Sequence, residues 1–484
     1  MTVKEEKKMV ELRQLVAALQ EKVKQAKQQA RKQTQKLKKK TEQVEKLKLE
    51  KRAVEGELKK KSKVYGILSQ TSIERHKYTD LIVSLCVELY TKCHVSFQGL
   101  SNMLQLLNTS LKWEMESIPC PNSIENWVKK SGYKVYHSPM EKEAEHGYAA
   151  IVDESIMLGS EKMLLTLGID AEKEKAGALQ KKDVSVLNIS VASSWSSAEV
   201  KAALDKVEKK VGQPPVYVVS DNDSKLSKAM REKGYVHLRD VGHTVALLVE
   251  KVYGKSKKLT AYMKALGAVK AKEAMRPASY LLPPTPRSIA RFMNLSLFVR
   301  WGRKILHIFP RLAQEEKQAF SFLESSRALL NELSSVFKPL NSILKILKTK
   351  GLSEKTVATC TAILHTEMAT GSKRVKQVRD SVASYLEEER LKLKDDKSCW
   401  HASSDIIESM FGYYKFRRSK NRLNGITSYV LLLPLLTRMG EVRKRSKINF
   451  KEALESVFMK DLKAWNDDNL TENLAVKRKK KLAA

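Results

Sequence analysis

The spacing of apolar positions changes along the chain, and each change predicts a different architecture. From Met9 to about Leu58 there is no proline and a single glycine, Gly56, among Lys, Gln and Glu. Leu12, Leu19, Ala26, Gln33, Lys40, Leu47 and Val54 recur every seven residues, with Val16, Val23, Ala30, Leu37, Val44, Lys51 and Leu58 interleaved four and then three residues apart. A seam sustained over about seven heptads predicts a coiled-coil helix that dimerises or binds a partner. The bland alternative is a solvated basic helix without a partner. The seam is weakest at its centre, where Gln33 and Lys40 replace apolar residues and Ala26 and Ala30 are small.

Between Lys77 and Pro139 the spacing predicts three short helices: about Tyr78 to Tyr90, one opening near Ser96, and one opening near Ile124. Asn122 or Ser123 is placed to cap the third, and Ile124, Trp127 and Val128 form its buried stripe. The arrangement looks like a helix-turn-helix, with Ser123, Asn126, Lys129 and Lys130 on the face that would meet DNA. Tri-helical units also serve other purposes, and pattern alone does not choose.

From Gly147 the periodicity is that of strands. Tyr148 to Asp153, Lys162 to Gly168 and Val184 to Ala192 are extended runs, the last rich in β-branched residues. A helix follows that opens with the capping-box spacing Ser196 to Glu199 and buries Val200, Leu204 and Val207. Then come a strand from Val216 to Asp221, a helix from Lys225 to Lys233, a strand from Tyr235 to Arg239 and a helix from His243 to Val252. The order is β-β-β-α-β-α-β-α.

Residues 256–394 read as helix throughout, apart from a proline-rich turn after Leu282. The α/β pattern resumes near Trp400 with a helix over Asp405 to Lys415, which Ser404 is placed to cap and which buries Ile406, Ile407, Met410, Phe411 and Tyr414. The predicted organisation is a coiled-coil helix at 1–66, a helix-turn-helix unit at 67–140, an α/β domain at 141–255, an all-helical insertion at 256–396, the resumed α/β domain at 397–445 and a basic tail at 446–484.

Charge narrows the choice of partner. The chain has 484 residues, 90 Lys and Arg against 55 Asp and Glu, and a net charge of +35. Such a surface attracts polyanions, nucleic acid first among them, and Lys415, Arg417, Arg418 and Lys420 add a basic cluster after the last predicted helix. The alternative is a cytosolic protein with basic tails. No apolar run approaches the roughly 20 residues of a membrane helix, and no signal-peptide core opens the chain, so an intracellular protein acting on DNA is expected, in a bacterial nucleoid or a nucleus. Five cysteines without a Cys-x-x-Cys pair predict buried free thiols.

Three carboxylates stand where phosphodiester chemistry needs them. Asp153 and Asp221 end the first and fourth strands, and Glu408 lies one turn into the helix after the insertion. Asp223 is an alternative to Asp221 if the strand runs two residues further, and Glu154 points to the face opposite Asp153. A lone helical Glu is usually a solvated surface group, so Glu408 gains its weight from the two aspartates. In-line displacement at phosphorus is favoured by two divalent ions about 4 Å apart, held by a few oxygen ligands.

The strand-end Asp153, the turn Ser220 to Asn222, the element Asp240 to His243 and the run Ser404 to Glu408 after a helical insertion resemble a DD(E) transposase. The likeness covers about 147–420, with 187 residues between Asp221 and Glu408, as in insertion-containing members. An Asp or Cys followed three residues later by His is a feature of several such superfamilies, Mutator-like and hAT elements among them. The resemblance implies a ribonuclease H-like mixed five-stranded sheet with helices on both faces. It implies Mg²⁺ or Mn²⁺, two ions, on Asp153, Asp221 and Glu408, with Asp240 and His243 in support. It also implies cleavage and strand transfer on double-stranded DNA, transposon ends and target; the N-terminal coiled coil is expected to make the chain a homodimer or higher oligomer. For His243 an equal alternative is a plain helix-start residue, with Asp240 as its cap. Other functions compatible with the residues are an inactive, transposase-derived DNA-binding protein and another ribonuclease H-like nuclease. Trp195, Trp301 and Trp400 are expected in packing roles, with base stacking as the alternative for Trp301.

Overall fold

The computed structural model describes residues 3–69, 72–111, 113, 115–140, 147–155, 157–173, 176–285, 292–419, 421, 425–472 and 474–483. The chain divides into two units, Met1–Ile82 and Val83–Ala484. The first is dominated by helix α1 (Val3–Ser69), a single uninterrupted run of 67 residues. Within it the Thr34 hydroxyl donates back along the helix to Ala30 O at 2.8 Å.

The second unit is α/β. Its elements in order are α2 (Asp80–Lys92), α3 (Phe97–Leu111), α4 (Pro121–His137), β1 (Tyr148–Glu154), β2 (Lys162–Asp170), β3 (Ser185–Ala192), α5 (Ser197–Val211), β4 (Val218–Ser220), α6 (Ser224–Lys233), β5 (His237–Arg239) and α7 (Val241–Tyr253). A helical region follows: α8 (Lys257–Glu273), α9 (Leu295–Ile308), α10 (Gln314–Ala319), α11 (Phe322–Ser325), α12 (Arg327–Lys350), α13 (Glu354–Glu367) and α14 (Lys373–Arg390). The chain closes with α15 (Asp405–Arg417), α16 (Leu432–Arg438), α17 (Phe450–Ser456), α18 (Met459–Asn469) and α19 (Leu474–Ala483).

The five strands form one mixed sheet in the order β3-β2-β1-β4-β5. The first three are antiparallel neighbours, and β4 and β5 join parallel to β1. Alternation along β1 sorts its residues between two faces. Tyr148, Ala150 and Val152 enter a core with Val200, Leu204 and Val207 of α5 and Leu226 and Met230 of α6. Ile151 and Asp153 therefore face away from that core, towards the side on which α15 approaches β1. The capping box that begins α5 is formed as its spacing predicts, with Glu199 N–H donating to Ser196 Oγ and Ser196 N–H to Glu199 Oε2.

The helical region returns to the sheet through a short bridge. Leu352 and Trp400 exchange backbone hydrogen bonds of 2.8 and 2.9 Å, and Trp400 stacks on Tyr217 with ring centroids 4.4 Å apart. Glu172 clamps the same strand by accepting Cys399 N–H at 2.8 Å and Trp400 Nε1–H at 3.1 Å.

Several expectations change. Residues 83–484 form one compact unit. Residues 450–469 are not a tail: Phe450, Leu454, Leu462 and Trp465 are buried, and α17 and α18 lie against α4. Helix α4 begins at Pro121 with Cys120 at its N-cap, three residues before the predicted start, because proline needs no hydrogen-bond partner in a first turn. Strand β4 begins two residues late, at Val218. Of the free cysteines only Cys86 and Cys360 are buried, whereas Cys93 and Cys120 are exposed. Among the described residues no helix is long and apolar enough to cross a membrane.

Candidate active site

The register of β1 and β4 sets the first two acids side by side. Ile151 pairs with Val219 in a parallel ladder, so two residues further on, Asp153 and Asp221 stand level at the same end of the sheet and on the same face. Each holds its own turn: Asp153 Oδ1 accepts Glu154 N–H at 2.7 Å, and Asp221 Oδ1 accepts Asp223 N–H at 3.0 Å. Burial, with the Asp221 carboxylate next in importance, pushes the Asp153 carboxyl up to about 7. Asp221 is raised too, foremost by burial.

Asp240 fastens the neighbouring elements together. It is fully buried, and its own N–H donates to Ser220 O at 2.7 Å, beside the end of β4. One carboxylate oxygen accepts His243 N–H at 2.7 Å, which caps α7. The other accepts Ser404 N–H at 2.7 Å and the Ser404 hydroxyl at 3.1 Å. Ser404 thus stands before α15 without capping it through its side chain, since its hydroxyl is committed to Asp240. Through its carboxylate and its own N–H, this one buried residue joins the three elements that carry Asp221, His243 and Glu408.

With its backbone held, the His243 ring reaches α15. Nε2–H donates to Glu408 Oε1 at 3.2 Å. This hydrogen bond is the main reason the imidazole is held up at about 9, with Asp240, Asp221 and Asp153 adding attraction. Glu408, 49 % exposed at its side chain, is lowered foremost by the same bond and further by Lys348 and Lys415. At neutral pH an imidazolium therefore sits among four carboxyl groups. The His243 backbone is the capped helix start, and its side chain meets Glu408.

The other acids have structural partners. Asp223 caps α6 by accepting Lys225 N–H at 2.8 Å, and Glu154 pairs with Lys162 and, at 3.5 Å, with Lys225. Lys348, which nothing in the sequence singled out, comes from α12 to form a 2.6 Å ion pair with Asp405. Its ammonium passes over Gly242, where an added Cβ would stand 3.4 Å from Nζ. Such a residue leaves no local signal, because its partner Asp405 lies 57 residues further along the chain.

The residues expected to bind DNA are dispersed. Lys130 is buried and loses basicity through burial, and Lys129 pairs with Glu125 at 2.9 Å. Ser123 and Asn126 are half-buried. The α16, α17 and α18 helices pack on α4, so it is not a freely presented recognition helix. Arg417 turns inward: Nη2 donates to Tyr90 O at 2.6 Å and meets His94 Nδ1 at 2.7 Å, while the guanidinium lies over the Tyr90 ring. Lys415 lies within the field of Asp153 and Glu408 and is lowered foremost by burial. Arg418 donates to Ser419 O at 3.1 Å, and Lys420 falls outside the described residues. Trp195 and Trp400 are buried, and Trp301 donates to Leu281 O at 2.9 Å with its ring edge against Phe320.

Among the described residues, no three His, Cys, Asp or Glu side chains converge closely enough to hold a metal ion as they stand. Asp153 and Asp221 offer the hard oxygen donors that a divalent cation prefers, whereas the near oxygen of Glu408 faces His243. No protein-family model matches the chain, and no curated protein is similar enough to count as a relative.

Proposed function

We propose that the chain is a DNA transposase of the ribonuclease H-like, DD(E) type, cutting and rejoining DNA by in-line displacement at phosphorus. The observation that carries this reading is the junction of the sheet order β3-β2-β1-β4-β5 with three acids. Asp153 and Asp221 lie level on adjacent parallel strands, and α15 brings Glu408 alongside after a long helical excursion. A purely structural cluster has little reason to raise two aspartates at one strand end.

Asp153 and Asp221 would hold Mg²⁺ or Mn²⁺, with Glu408 joining on release from His243; when bound, the ions supply activation of the attacking oxygen and charge neutralisation at phosphorus. The chain's own residues do the rest. Asp240 fixes the starts of α7 and α15, His243 holds Glu408 in place, and Lys415 offers positive charge beside the acids. The net charge of +35 favours the DNA backbone as partner.

The test is to incubate the full chain and Mg²⁺ or Mn²⁺ with duplexes carrying the DNA that flanks its coding region, together with a supercoiled target. The expected products are cleaved ends with free 3′ hydroxyls and their covalent joining to the target. DNA binding without either product would instead support a transposase-derived binding protein, and cleavage by shape without joining would support a nuclease.

A further inference from the structure

The seam of α1 lies uncovered. Its apolar residues from Leu12 to Val54 are 48–69 % exposed, an unusual fate for a heptad stripe that another helix normally covers. The four-then-three spacing sets the series Leu12, Leu19, Ala26 at d and the series Val16, Val23, Ala30 at a.

The polar residues in the seam decide how a second copy would fit. In a parallel, in-register pair each seam residue meets its own copy, so Lys40 faces Lys40 and Lys51 faces Lys51, two ammonium layers inside the interface. The flanking g and e positions compound the repulsion by setting Lys22 against Lys27 and Glu50 against Glu55. In an antiparallel pair, a positions meet d positions instead. With position 35 at the centre, Lys40 meets Ala30 and Lys51 meets Leu19, while Val23 meets Leu47 and Val16 meets Val54. No lysine then faces a lysine in the core. The small Ala30 leaves room for the Lys40 stem to run out to water. On the g flank Lys22 meets Glu50, twice by symmetry; a slide of one heptad one way sets Lys22 against Gln43 instead, and a slide the other way sets Lys27 against Lys48 on the e flank. The one like-charged approach, Lys36 towards its own copy, is at the solvated rim.

We propose that α1 pairs antiparallel with the α1 of a second copy of this chain, centred on position 35. At 1.5 Å per residue the two chains leave the coil at opposite ends, about 100 Å apart. A parallel pair would release them side by side.

Two measurements on the full chain test this. In sedimentation the chain is expected to dimerise. Glu50→Lys weakens the dimer about tenfold at low salt, because two attractive meetings become repulsive, and Lys22→Glu added to it restores the affinity. A parallel pair reverses the sign, since Glu50→Lys would relieve the Glu50 and Glu55 repulsion and strengthen association. For the second, the exposed Cys93 and Cys120 are replaced by serine, and Val23→Cys and Leu47→Cys are prepared as separate chains. Disulfide dimers are expected when the two are mixed and not from either alone. A monomeric chain, cross-linking of Val23→Cys by itself, or no cross-link in the mixture would each overturn the proposal.

Discussion

Replacing Asp240 by asparagine tests how the candidate site is held together. The carboxylate takes three donors, His243 N–H, Ser404 N–H and the Ser404 hydroxyl, at 2.7, 2.7 and 3.1 Å. Asparagine keeps one acceptor oxygen and turns an amino group towards the other side. If that oxygen stays with His243, the Ser404 hydroxyl can rotate to accept, but the Ser404 N–H is left facing a donor in a buried place. A lost charge-assisted bond and an orphaned buried N–H each cost about 1–3 kcal/mol, so about 3 kcal/mol in all is expected. Spread over a unit of this size the melting temperature falls by only a few degrees, and the sharper signal is local. Hydrogen exchange at the first amides of α7 and α15 should accelerate by about two orders of magnitude, while amides of β1 and β2 keep their protection. Unchanged exchange at both helix starts would refute the role given to Asp240.

Other consequences can be measured as directly. Gly132→Ala would put a methyl group 2.0 Å from Leu431 O, so the chain should lose several kcal/mol of stability or fail to fold; a normally stable variant would contradict the packed position of α4. The crowded aspartates cost stability. Because the Asp153 carboxyl is raised to about 7, stability should fall as pH rises from about 4 through 7 in divalent-free buffer. Asp153→Asn should then melt higher than the parent at pH 8, by an amount worth roughly 2 kcal/mol, and no higher than the parent at pH 4; a variant less stable than the parent at pH 8 would show that burial and the Asp221 charge do not disfavour the ionised Asp153 carboxylate. Lys348→Ala, which frees Asp405, should leave DNA affinity within about twofold and lower the cleavage rate several-fold, with Lys348→Arg recovering most of it. A drop in affinity alone would reassign Lys348 to DNA binding.

What was legible in the sequence was what local rules encode. The Ser196 and Glu199 box, the Asp240 cap and the extended apolar run that brings β1 to Asp153 all depend on residues within a few positions of one another. That Asp153 and Asp221 would act together was what the resemblance implied; their meeting at one end of the sheet comes from the parallel pairing of β1 with β4. Long-range packing left no such trace. The stripe Ile124, Trp127, Val128 announces one buried side of α4, but Lys130 is buried because α16 to α18, more than 300 residues later, cover another side. Residues 446–484 read as a tail because their lysines obscured the helical spacing of Phe450, Leu454, Leu462 and Trp465. Arg417 looked like a phosphate contact by charge, yet an arginine stem and guanidinium pack well on tyrosine rings, and Tyr90 and Tyr413 supply them from both ends of the unit.

The central claim is that Asp153, Asp221 and Glu408 do the chemistry, and the most direct measurement is divalent-dependent cleavage of DNA carrying the flanking ends by Asp153→Asn, Asp221→Asn and Glu408→Gln, each alone. The account predicts that every one of the three lowers the cleavage rate by a factor of about a thousand or more while DNA affinity stays within a few-fold of the parent. Full cleavage by any one of these variants would contradict it.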